Sequence, residues 1–203
     1  MKIPFRYQAT DYDCVPTTFI NALQYLFDRE EIPPEAIQKI MLYSLDSVAN
    51  NKKGEYGKVD GTTGLAIQMI MQWLECHSKG KFTFKRCEYL TEDHVHLRQN
   101  NKIMSCINSD GIALMRVWSG SCFHYVLALG LDENDSGKLL FFDPYYRVKK
   151  YTGDDSKHIE ILKPNERHGA NLRVSRERLD SYDGERYSMG SVEERECCLL
   201  ERL

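Results

Sequence analysis

A cysteine stands where the first amphipathic helix of the chain should begin, in the stretch QATDYDCVPTTF. The unpaired N–H groups and the dipole of a helix start favour a thiolate, which makes Cys14 a candidate nucleophile. Gln8 lies six residues earlier, and its side-chain NH2 could stabilise a developing oxyanion beside the backbone N–H of Cys14. The alternative is that Cys14 is a small core residue, as most buried cysteines are.

His124 opens the apolar run HYVLALGL, which predicts a buried strand. Packing fixes a side chain at a strand end while one side of it can face a cleft, and this suits a general base. The alternative is a histidine whose hydrogen bonds only complete the edge of a sheet. Both readings remain open for His124 on its own.

Asp143 ends the next apolar run, LLFFDP. A hairpin centred on the turn DENDSG would place His124 opposite Tyr145, with Asp143 as the diagonal neighbour of His124 on the same face, about 7 to 8 Å away at Cα. Pro144 holds Asp143 extended, although Asp-Pro alone is also a common way to begin a turn. Together the residues offer a nucleophile, a base and an orienting carboxylate.

Helices should come first and strands afterwards. Apolar spacing predicts a helix over residues 15–27, a second helix after Pro33 and Pro34, and a third after DGTTG. The second should bury Ile37, Ile40 and Met41, and the third should be capped by Thr62 or Thr63. The buried stripe of the third should consist of Ala66, Met69, Ile70 and Trp73. The polar stretch 47–61 predicts a long loop.

Strands are predicted over residues 81–86, 112–118, 123–131 and 138–143, with a short helix from residue 91 to about residue 99. Residues 172–174 fit an edge strand, and ECCLLERL fits either a strand or a helix. Helices followed by a largely antiparallel sheet indicate an α+β domain. We expect this domain to span residues 1–163, with residues 164–203 forming a charged extension packed on it.

The order Gln, Cys six residues later at a helix start, His opening a strand, and Asp-Pro resembles the papain-like cysteine peptidases. Within them it is most similar to the bacteriocin-processing peptidases that cleave double-glycine leaders. The segments that carry the likeness span about two thirds of the chain: YQATDYDCVPTTFINAL, DGTTGLAIQMI, HYVLALGLD and LLFFDPY.

The resemblance implies a papain-like α+β fold, with Cys14 as nucleophile, His124 as base, Asp143 as the residue that orients it and Gln8 as oxyanion donor. Val15 stands where relatives usually have glycine, and it should narrow the cleft. The best-known relatives are domains of ABC transporters, but this chain has no Walker-type glycine loop. A double-glycine leader is therefore a weaker expectation than the fold.

Composition limits the partners. Hydrophobic residues at 42%, charged residues at 28% and a net charge of −3 fit a globular domain without a general attraction for nucleic acid or membranes. The chain shows no signal-peptide core, and its seven cysteines are irregularly spaced, so we expect a cytoplasmic protein with reduced thiols. The expected partner is a peptide or protein substrate. The oligomeric state cannot be read from the sequence.

Two other sets of residues could form a rival site. Cys76, His77, Cys87, His94 and His96 match no short zinc-binding motif, so neither a metal nor a cofactor is predicted. Cys122 lies two residues before His124 but lacks a helix start to activate it.

The leading hypothesis is a thiol hydrolase that cleaves a peptide or amide bond through an acyl-enzyme thioester. The same residues could pass the acyl group to an amine, as a transglutaminase-like acyltransferase does. A binding module on an inactive peptidase scaffold is the third reading, although binding alone would not require all four residues.

Overall fold

The computed structural model describes residues 4–46, 61–98, 100–163, 169–182 and 184–203. Within these ranges the chain is an α+β structure built on one seven-stranded antiparallel sheet. The α-helices are α1 (Cys14–Leu26), α2 (Pro34–Asp46), α3 (Gly64–Cys76), α4 (Lys102–Ile107), α5 (Asp155–His158) and α6 (Arg176–Leu179). The strands are β1 (Phe84–Thr91), β2 (Ile112–Trp118), β3 (Phe123–Asp132), β4 (Asp135–Phe142), β5 (Ile159–Ile161), β6 (Leu172–Ser175) and β7 (Glu196–Arg202).

The strands lie in the order β1-β7-β2-β3-β4-β6-β5. Apolar side chains cover both faces of the sheet, because the central strands alternate buried residues to either side. One face packs on α1, α2 and α3. The other packs on α4, α6 and the segments that lead into β7.

The first helix agrees with its prediction to within one residue at each end, and the third begins directly after its predicted cap. In α1 the residues Phe19 and Leu23 are fully buried, as the three-and-four spacing requires. The Thr63 hydroxyl accepts a hydrogen bond from the N–H of Ala66 at 3.3 Å, so Thr63 rather than Thr62 caps α3.

The predicted inner faces of α2 and α3 are wrong in part, because Met41 and Met69 are exposed. The buried stripe of α3 is rotated by one residue and runs through Ile67 and Met71. Trp73 is only half-buried and stacks on His77 at the end of the helix. Because Ile67 and Met71 are apolar too, the sequence is compatible with the predicted and with the observed stripe, and contacts with the sheet determine which is buried.

Two further predictions need correction. The strand expected over residues 81–86 starts at Phe84 and continues to Thr91, because β1 pairs along its length with β7. The helix expected over residues 91–99 is a single 3-10 turn (Glu92–His94), and the α-helix begins only at Lys102. Asn101 sets that start, since its Oδ1 accepts from the N–H of Met104 at 2.7 Å.

Residues 164–203 contribute two strands to the same sheet. The segment ECCLLERL falls in strand β7, which lies between β1 and β2. Strand β6 is not an edge strand as expected, because β5 pairs along its outer side. The loop predicted over residues 47–61 lies outside the described residues except for Gly61.

The hairpin of β3 and β4 decides where the predicted base and carboxylate meet. Leu127 pairs with Phe142 and Ala128 with Phe141, which is the register that the sequence predicted. Irregularities between Ala128 and Gly130, and between Leu131 and Asp132, shift the pairs nearer the turn. The register is therefore confirmed at the end of the hairpin that carries His124.

Candidate functional site

A cavity of about 720 Å³ opens at one edge of the sheet. Strands β3 and β7 begin at this edge, while β2 and β4 end there. All four predicted site residues line the cavity, namely Gln8, Cys14, His124 and Asp143. The fold thus brings together side chains that are up to 135 positions apart in the sequence.

Cys14 is the first residue of α1, and 8% of its surface is exposed. The first N–H groups of a helix have no acceptor within it, and the first residues of α1, Cys14 and Val15, line the cavity. The hydroxyl of Thr18 donates to the carbonyl of Tyr125 at 3.1 Å and anchors the helix to β3, next to His124. This anchor fixes the distance between helix start and strand start.

The loop that carries Gln8 is closed by the carboxylate of Asp13. Asp13 accepts hydrogen bonds from the N–H of Ala9 at 2.9 Å and from the N–H and hydroxyl of Thr10 at 2.7 Å each. Partial burial opposes ionisation, but these hydrogen bonds, led by the Thr10 hydroxyl, hold the pKa of Asp13 below its ordinary value. The loop is thereby tied to the residue that precedes Cys14.

Hydrogen bonds hold both the backbone and the side chain of Gln8. Its backbone N–H donates to the carbonyl of Pro144 at 2.9 Å, and its side-chain NH2 donates to the carbonyl of Thr10 at 2.7 Å. The amide thus uses one N–H within its own loop, and the other N–H is not required by that bond. Gln8 and Cys14 line the same cavity.

His124 and Asp143 form a buried pair. The Nε2 atom of His124 lies 2.7 Å from Oδ1 of Asp143, which leaves Nδ1 free of this contact. Burial lowers the pKa of His124, but the charge and hydrogen bond of Asp143 outweigh it. A hydrogen bond with Cys14 adds to the increase, and the pKa rises to about 10. These contacts favour the imidazolium form of His124, which lies between a thiol and a carboxylate.

Asp143 is held by residues that the sequence did not single out. The hydroxyl of Tyr187 donates to its Oδ2, and the N–H of Tyr145 donates to its Oδ1 at 2.7 Å. The Asn171 side chain binds both the N–H and the carbonyl of Asp143, each at 2.8 Å. Burial and the neighbouring Asp143 charge raise the pKa of Tyr187 well above its ordinary value, so Tyr187 remains a donor.

Sequence spacing offered no signal for Tyr187 or Asn171. They lie 44 and 28 residues beyond Asp143, in the region outside the resemblance. Only the pairing of β4 with β6 brings Asn171 to Asp143. The described structure therefore makes residues after 163 part of the site.

A second carboxylate, Glu196, was also missed. It accepts hydrogen bonds from the hydroxyls of Tyr125 and Tyr89 and lies 3.7 Å from Nη1 of Arg116. The start of α3 packs tightly against Tyr89 and Glu196. A Cβ on Gly64 would lie 2.9 Å from the Tyr89 hydroxyl. Glu196 lines the same cavity as the buried His124–Asp143 pair.

The rival sites can now be located. Cys122 is exposed and lines the cavity, but it lies in the loop between β2 and β3, where its N–H donates to the Ser119 hydroxyl. Among the described residues, no group of three or more His, Cys, Asp and Glu side chains is arranged to hold a metal ion. Nor does any described helix combine the length and apolarity that a membrane crossing demands.

No family model matches the chain, and no curated protein matches it either.

Proposed function

We propose that this chain is a papain-like cysteine hydrolase that cleaves a peptide or amide bond. The observation that carries the proposal is the chain of contacts from Asp143 through His124 to Cys14 at a helix start. The His124 imidazolium would stabilise a Cys14 thiolate, which is the reactive form of a cysteine. A structural histidine would need neither the thiol nor the open cavity.

In the proposed reaction the Cys14 sulfur attacks the carbonyl carbon of the scissile bond and pushes its π electrons onto oxygen. The backbone N–H of Cys14 and the side chain of Gln8 stabilise that oxyanion. When the oxyanion collapses, the C–N bond breaks, and the proton of His124 passes to the leaving nitrogen. A thioester between the acyl group and Cys14 remains.

Water completes the cycle. His124, now neutral, accepts a proton from the water as its oxygen attacks the thioester carbon. The C–S bond then breaks, the acid leaves, and the thiolate–imidazolium pair is restored. Asp143 holds the His124 ring in the required orientation throughout and stabilises its positive charge.

The test is the pH dependence of Cys14 alkylation by iodoacetamide, read by peptide mass spectrometry. In the wild type we expect Cys14 to react well below about pH 8.5, the ordinary range of a free thiol. The His124→Ala variant should lose this reactivity, because the imidazolium is gone. Exposed Cys76 serves as an internal reference in both proteins.

The Cys14→Ala variant should fold and show no turnover in a screen of reporter peptides. If Cys14 follows the same pH curve as Cys76, or reacts equally with and without His124, the hydrolase proposal is wrong. Added hydroxylamine distinguishes hydrolysis from acyl transfer at this site, since hydroxamate formation reports transfer of the acyl group to an amine.

A further inference from the structure

Two arginines that line the cavity converge on the ring of Tyr151. The guanidinium of Arg147 lies 5.0 Å from the ring centroid of Tyr151 and 5.8 Å from that of Tyr145. The guanidinium of Arg186 lies 6.0 Å from the Tyr151 centroid. Both arginines line the cavity that contains Cys14. Two like charges at one ring favour an anion between them.

The charges of this pair are poorly compensated. Among the described residues, no carboxylate lies within 4.0 Å of Arg147. Arg186 has Asp155 at 3.6 Å, but Asp155 also binds Arg178 at 2.8 Å. The arginine pair therefore retains positive charge that faces the cavity.

Other acidic groups that line the cavity are Asp11, Asp143 and Glu196. Asp143 is engaged by His124, and Glu196 by two tyrosines and Arg116. These two carboxylates therefore belong to other contacts.

Arg186 is close to the reacting groups. Gly120 lies in the loop that leads into His124 and has a φ of +103°, and a Cβ there would lie 2.9 Å from Nε of Arg186. Tyr187, which holds Asp143, is the next residue after Arg186. A group bound by the arginine pair would thus lie beside the His124–Asp143 pair.

We infer that Arg147 and Arg186 form a carboxylate subsite, so that the substrate carries an acidic group next to the bond that is cleaved. The inference rests on the proposed function and names its substrate class. A guanidinium presents a planar set of N–H donors that matches a carboxylate, and a lysine does not reproduce this fork. The carboxylate can be an Asp or Glu side chain, or the terminal carboxylate of a peptide.

The first experiment compares two alkylating agents of similar size, iodoacetate, which is anionic, and iodoacetamide, which is neutral. The rate ratio at Cys14 is measured near neutral pH by peptide mass spectrometry. We expect the iodoacetate preference to fall several-fold in Arg147→Gln/Arg186→Gln. Lys149→Gln, which removes an exposed charge nearby, should leave the ratio unchanged.

The Arg147→Lys variant distinguishes recognition of a carboxylate from a general effect of positive charge. It retains the charge but loses the fork, so a carboxylate subsite predicts a lower ratio than in the wild type. An unchanged ratio in the double variant overturns the inference. A ratio that falls equally in Lys149→Gln also overturns it, since the effect would then be general.

The second experiment identifies the source of the carboxylate. Peptide libraries with free or amidated C-termini, with Glu or Gln at each position, are cleaved and read by mass spectrometry. Dependence on Glu indicates an acidic side chain, and dependence on the free terminus indicates a terminal carboxylate. Cleavage that is indifferent to both contradicts the inference while leaving the hydrolase proposal intact. If wild-type Cys14 shows no reactivity at low pH, in contrast, the hydrolase proposal itself has failed, whatever the libraries show.

Discussion

Asp143 and Glu196 line one cavity at the same edge of the sheet, and tyrosine hydroxyls bind both carboxylates. They differ in their cationic neighbour. Asp143 contacts His124, whose proton can be exchanged, whereas Glu196 lies near Arg116, whose proton cannot. The chemistry open to each carboxylate thus depends on the group it faces, and not on its burial or its tyrosine partners.

The largest expected difference is between two matched changes from carboxylate to amide. Asp143→Asn should lower kcat/KM for a reporter peptide by about 100-fold or more, because His124 loses its orientation and its stabilised charge. Glu196→Gln should lower kcat/KM by less than about tenfold, since it removes hydrogen bonds but no proton-transfer partner.

Both variants are first checked for folding by circular dichroism and urea titration. Cys14 alkylation below pH 7 is the second readout, and it should fall only in Asp143→Asn. Equal losses in the two variants would contradict the distinction between the carboxylates.

A smaller difference is expected between the tyrosines. Tyr187→Phe removes the donor to Asp143 Oδ2 and should reduce kcat/KM by about tenfold, the equivalent of one charge-assisted hydrogen bond. Tyr89→Phe removes the corresponding donor to Glu196 and should leave kcat/KM nearly unchanged. Tyr187 has a φ of +62°, but phenylalanine has the same backbone preferences, so the change tests the hydroxyl alone.

The measurement includes the pH profile of kcat/KM, since Tyr187 acts through Asp143. A profile that moves in Tyr187→Phe supports a positioning role. A loss of stability with an unchanged profile would mean that the hydroxyl serves only the fold.

The smallest effect concerns stability. The pKa of His124 is raised to about 10 in the native protein, against about 6.5 in an unfolded chain. The stabilisation from the His124–Asp143 pair is therefore fully present below about pH 6.5 and is lost as the pH rises through about 10. In urea titrations, the difference in free energy of unfolding between wild type and His124→Gln should shrink as the pH rises from about 6.5 to about 10.

The gap between wild type and Glu196→Gln should remain nearly constant from about pH 6.5 to 9, because Arg116 does not titrate there. A gap for His124→Gln that is independent of pH would indicate that His124 is neutral in the native protein.

Local signals in the sequence predicted the parts of the site that depend on local structure. Helix spacing placed Cys14 at a helix start, and the turn DENDSG fixed the register at Leu127 and Phe142. The contacts of Asp143 with Tyr187 and Asn171 could not be predicted, because they depend on strand pairing between distant segments. The prediction that Met69 is buried was wrong for a related reason, since contact with the sheet decides which stripe of α3 is buried.

The insertion of β7 between β1 and β2 has a consequence for synthesis on the ribosome. Until residues 196–202 have emerged, β1 and β2 have no strand to join them, and the sheet is in two pieces. A nascent chain that already displays Cys14, His124 and Asp143 also lacks Tyr187 until that residue is translated. The order of translation thus delays both the joining of the sheet and the completion of the contacts around Asp143 until residues 187–202 have been made.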